Sequence, residues 1–99
     1  MDLDQAELVI ERGRNATDLL SNPSFSWIVD DLTNQHLQQM VAAPPGERGR
    51  EAREEAALMQ HALTEIVSLL QGYAQTGAAM QSAIDDMRDD DEIEEFDTP

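Results

Sequence analysis

Any chemistry in this chain must come from two histidines, 21 carboxylates and six arginines, because its 99 residues contain neither cysteine nor lysine. The missing cysteine removes thiolate nucleophiles, thiolate metal ligands and disulfides together. His36 and His61 stand 25 residues apart. Antiparallel helices could bring the rings near each other, but a metal site takes three or four ligands at tight spacing. No companion carboxylate sits at a matching position, so each histidine is expected to be a satisfied side chain inside the fold or at its edge. Asp30-Asp31 and Asp85-Asp86 are adjacent pairs. Neighbours on a helix point about 100° apart and do not converge for acid–base work. The run Gly46-Glu47-Arg48-Gly49-Arg50 lacks the lysine and the serine or threonine of a phosphate loop, and no strand precedes it. These residues predict a non-enzyme with no catalytic residue, no metal and no cofactor.

Charge is the next signal. Residues 1–77 hold 12 acidic and 5 basic groups, net −7, and residues 78–99 hold 9 and 1, net −8. A surface this acidic repels a phosphate backbone, so direct nucleic-acid binding is not expected. A basic protein partner would be attracted. Within the C-terminal run Asp89, Asp90, Asp91, Glu92, Ile93, Glu94, Glu95 and Phe96, two large apolar residues lie among acids. That pattern suits docking on a basic groove, with Ile93 and Phe96 as anchors and the acids as steering. A calcium loop would need a turn glycine and alternating ligands, which this run lacks.

The elements that would carry these groups are helical. Leu3, Ala6, Val9, Ile10, Gly13, Ala16, Thr17 and Leu20 follow a 3.6-residue period, with Gly13 on the apolar stripe as a point of close helix approach. Asn22-Pro23 ends that helix and opens a second, which runs to about Ala42 with Phe25, Ile28, Val29, Leu32, His36, Met40 and Val41 on one side. Ala43-Pro44-Pro45-Gly46 breaks the chain. A third helix is predicted over about 49–76. Ala52, Met59, Ile66 and Tyr73 recur at sevens, interleaved with Ala56, Leu63, Leu70 and Gly77. This 4-3 seam suits knobs-into-holes packing and is expected to be the self-association surface. Thr76-Gly77 reads as its C-cap, although Met80, Ala83, Ile84 and Met87 keep helical spacing beyond it.

The expected fold is all-α: an antiparallel helical hairpin or three-helix bundle over residues 1–77, then an acidic tail over 78–99, partly helical at its start and otherwise disordered when free. The core is thin, with four aromatic residues, Phe25, Trp27, Tyr73 and Phe96, so a homo-oligomer is expected. No apolar run is long enough to span a membrane. The acidic opening Met1-Asp2-Leu3-Asp4 lacks the basic start of a secretory signal, so a cytoplasmic protein is expected.

The run Arg12-Gly13-x-x-Ala16-x-x-Leu19-Leu20-x-Asn22-Pro23-x-Phe25, the proline-containing connector, Arg50-Glu51-x-Arg53 and Thr76-Gly77 together resemble small helical-hairpin proteins encoded among tailed-bacteriophage head and packaging genes. The resemblance covers about residues 10–77 and omits the acidic tail. It implies a virion-assembly or DNA-packaging accessory in the cytoplasm of a host cell, or in the virion, acting through protein contacts. It supplies no catalytic residues. The alternative is an acidic nucleic-acid mimic that inhibits a host DNA- or RNA-binding enzyme. A mimic spreads carboxylates over its folded surface, whereas here more than half of the net charge lies beyond residue 77.

Overall fold

The computed structural model describes residues 2–97, with side chains through 88, and is all-α: α1 (Leu3–Ser21), α2 (Pro23–Ala42) and α3 (Glu47–Asp97). No strand occurs among the described residues. Two compact units are present, one formed by Met1–Asp18 with Leu70–Pro99 and the other by Leu19–Leu69.

The helix starts follow local hydrogen-bonding needs. The Asp2 carboxylate accepts from the Gln5 N–H at 2.9 Å at the start of α1. At the α1–α2 break the Asn22 side chain accepts from the Ser24 N–H at 2.8 Å, and Pro23 occupies the first turn, where a missing N–H costs nothing. Gly46 takes φ +98°, the one left-handed residue among those described, and its carbonyl accepts from the Arg50 N–H at 3.0 Å to open α3. The connector is therefore shorter than the sequence predicts, and α3 begins at Glu47 rather than about residue 49.

In the unit formed by residues 19–69, α2 and the first part of α3 are antiparallel. Gln39, Ala42 and Ala43 share a hollow with Ala52, Glu55 and Met59, and further back along α2 Thr33 and His36 reach Gln60. The connection needs a glycine at its foot: a Cβ on Gly49 would lie 1.4 Å from the Pro44 carbonyl oxygen. Arg53 Nη1 donates to that same oxygen at 3.3 Å.

In the other unit α1 meets the later part of α3 through two glycines. A Cβ on Gly13 would lie 2.7 Å from Gly77 Cα and 2.8 Å from the Tyr73 carbonyl oxygen, and one on Gly77 would lie 2.7 Å from Gly13 Cα. The close approach expected at Gly13 is present, and its partner is Gly77. The Thr76-Gly77 stop is corrected: Gly77 is a buried helical residue and α3 runs on without a break. A glycine that ends a helix and a glycine that admits a second backbone have the same sequence signature. Ala6, Ile10 and Ala16 complete the buried face of α1, and Arg14 donates to Gln81 Oε1 at 3.0 Å beside the crossing.

Candidate functional site

The two interleaved rows of the predicted seam on α3 face different ways. Ala56 is buried at 1% exposure, and Leu63 and Leu70 are half-buried. Ala52, Met59, Ile66 and Tyr73 are exposed. The buried row takes its companions four residues on, not three: in the unit of residues 19–69, the α3 positions turned inward are Gly49, Arg53, Ala56, Gln60, Leu63 and Val67. Both choices keep a 4-3 spacing, so periodicity alone cannot separate them. Hydrophobicity favours the row with Met59 and Ile66 over the row with Arg53 and Gln60, and the structure selects the more polar row.

Polar contacts explain that choice. His36, the one buried polar side chain among the described residues at 4% exposure, uses Nδ1–H to donate to Gln60 Oε1 at 2.7 Å. Gln60 Nε2 donates to Thr33 Oγ1 at 3.2 Å. No buried side-chain nitrogen or oxygen among the described residues is left without a partner. A buried polar group that lost its bond would cost roughly 1–3 kcal/mol, so the chain of three side chains holds α2 and α3 in one register. His61 lies exposed on α3 with Nε2 3.1 Å from Glu65 Oε1, and the structure does not bring the two histidines together. No group of three or more His, Cys, Asp or Glu side chains placed to hold a metal ion occurs among the described residues. Arg50 and Glu54 form an exposed pair at 3.1 Å, of a kind that adds little stability.

A hollow of about 230 Å³ lies at the Gly13–Gly77 crossing and is lined by Ile10, Arg14, Thr17, Ala74 and Gln81 among others. Sites for small organic ligands usually run from about 300 Å³ upward, and this hollow is smaller.

What stands out is apolar surface. Among the described residues the buried hydrophobic side chains are Ala6, Ile10, Ala16 and Ala56, so Ile10 is the one large member. Among those residues thirteen large hydrophobic side chains are exposed, including Trp27, Ile28, Leu37 and Val41 on α2 and Leu58, Met59, Ile66 and Leu69 on α3. Of the expected α2 stripe, Phe25, Val29, Leu32, His36 and Met40 are turned inward, while Ile28 and Val41 are exposed. On α3, Met59, Ala62, Ile66 and Leu69 follow a 3-4-3 spacing along one outward face, at 46%, 54% and 55% exposure for Met59, Ile66 and Leu69. Leu58 flanks this face. The side chains of Asp89, Asp90, Asp91, Glu92, Ile93, Glu94, Glu95 and Phe96, the expected partner-binding tail, lie outside the described residues, and with them the tail's expected disorder. No helix among the described residues is long and apolar enough to cross a membrane.

No protein-family model matches the chain, and comparison with curated proteins and with solved structures gives no match.

Proposed function

We propose that the chain is a non-enzymatic accessory protein that works through protein–protein contacts, as a homo-oligomer whose acidic C-terminal run recruits a basic partner. The supporting observation is the apolar surface of α2 and α3: Trp27, Ile28, Leu37, Val41, Leu58, Met59, Ile66 and Leu69 are exposed, large side chains of the sort that, grouped on a surface, mark interaction sites.

The setting, tailed-phage virion assembly or DNA packaging in a host cytoplasm, rests on the resemblance of residues 10–77. It is tested by co-purification from phage-infected cells that express the tagged full chain, alongside a version lacking residues 85–99. Recovery of portal, coat or terminase by the full chain, lost on deletion, is the expected result. Recovery of a host nucleic-acid enzyme instead would replace this reading with that of an acidic mimic.

A further inference from the structure

The outward row Met59, Ala62, Ile66 and Leu69 has no cover within its own unit, and its surroundings identify what covers it. The 29 residues from Ala56 to Ile84 contain one carboxylate, Glu65, and no arginine, although the whole chain carries net −15. Interface centres are depleted of charge, and here the depletion falls on the α3 segment that exposes the row. A basic partner would be drawn to the acids, which lie elsewhere. A second copy of this acidic chain meets the least repulsion along this stretch.

The row is also self-complementary. Its spacing, 3-4-3, reads the same in both directions. Reversing one copy against the other sets the partner's Ile66 opposite Ala62 and the partner's Leu69 opposite Met59, so a small residue faces a branched one at the centre and larger side chains close the ends. A parallel pair would instead lay the two C-terminal segments, net −8 each, side by side, and like charges brought together oppose association.

We infer that α3 pairs with α3 of a second copy, antiparallel about a two-fold axis between Ala62 and Ile66, with Met59, Ala62, Ile66 and Leu69 as the shared seam. The inference rests on the protein-contact reading above and names the partner at this face. Glu65 flanks the seam and meets its own copy near the axis. It is exposed and paired with His61, and it is the one charge that opposes closure.

The chain has no native cysteine, so single-cysteine variants report the arrangement directly. Oxidising an equimolar mixture of Ala62→Cys and Ile66→Cys should give the mixed disulfide dimer far beyond the statistical excess that random pairing produces. Homodimers without the mixed species, or the statistical mixture alone, would overturn the antiparallel seam. The double variant Ile66→Glu/Leu69→Glu should keep its helical circular dichroism, because both positions are exposed, and should bind itself about 100-fold or more weakly. Glu65→Gln should associate more tightly than the native chain. An oligomer unaffected by the double variant would overturn this seam and leave the protein-contact reading standing. A native chain that stays monomeric at about 100 µM would overturn the seam and the homo-oligomer together, while partner capture by the tail would be decided separately by the deletion experiment.

Discussion

Between Gly49 and Leu69 one side of α3 faces α2 and another faces away, and the two carry opposite cargo. The inward positions are Gly49, Arg53, Ala56, Gln60, Leu63 and Val67, small or polar for the first four and apolar only toward the end. The outward positions include Met59, Ile66 and Leu69, each about half exposed. A helix packed only for its own unit would have these reversed. The inward side trades bulk for register: Gly49 leaves room for the Pro44 carbonyl of the connector, Ala56 is buried at 1% exposure, and His36–Gln60–Thr33 admits one alignment. The outward side retains the greater share of large apolar residues and gains little from the fold within the unit. The difference separates what holds α2 to α3 from what α3 offers to another molecule.

Four substitutions sharpen that contrast, beginning with the largest effect. Gly49→Val places a side chain where the Pro44 carbonyl already sits. It should lower stability by about 3 kcal/mol or more, at or beyond the upper end of overpacking costs, seen as loss of cooperative thermal unfolding by circular dichroism. Ala56→Leu adds bulk at a position only 1% exposed and should cost about 1–3 kcal/mol, measured by urea unfolding at fixed protein concentration. Gln60→Leu leaves the His36 Nδ1–H without its acceptor and should cost roughly 1–3 kcal/mol; pairing it with His36→Leu should recover part of that loss in a double-mutant cycle. Leu69→Ser, on the outward side, should leave dilute-solution stability within about 0.5 kcal/mol while flattening the rise of Tm with protein concentration that an oligomer shows. If Leu69→Ser instead cost as much as Ala56→Leu in dilute solution, the two sides of α3 would not differ in the way described.

Much of this arrangement is legible in the sequence because it depends on local chemistry. Asn22-Pro23 and the Pro44-Pro45-Gly46 break declare themselves through backbone demands that no distant residue can override. The row Ala56, Leu63 and Leu70 is visible because its period is sustained. The choice between companions three or four residues on is not visible. Met59 and Ile66 outweigh Arg53 and Gln60 by hydrophobicity, and the reason Gln60 turns inward resides on α2, in His36 and Thr33. Gly77 is hidden for a similar reason. Its meaning comes from Gly13, 64 residues earlier, and a glycine preceded by threonine near the end of a periodic run looks like a stop until its partner is known. Gly49 lies within a run that reads as a flexible connector, yet it is a helical position fixed by one carbonyl oxygen.

The central claim is that the outward side of α3 is closed by protein. Sedimentation velocity on the full native chain from about 1 to 100 µM, run beside Ile66→Glu/Leu69→Glu, addresses it most directly. The account predicts a native species that shifts from monomer to dimer across that range, with the double variant remaining monomeric and fully helical. A native chain that sediments as a single 11.0 kDa species at every concentration, indistinguishable from the variant, would contradict it.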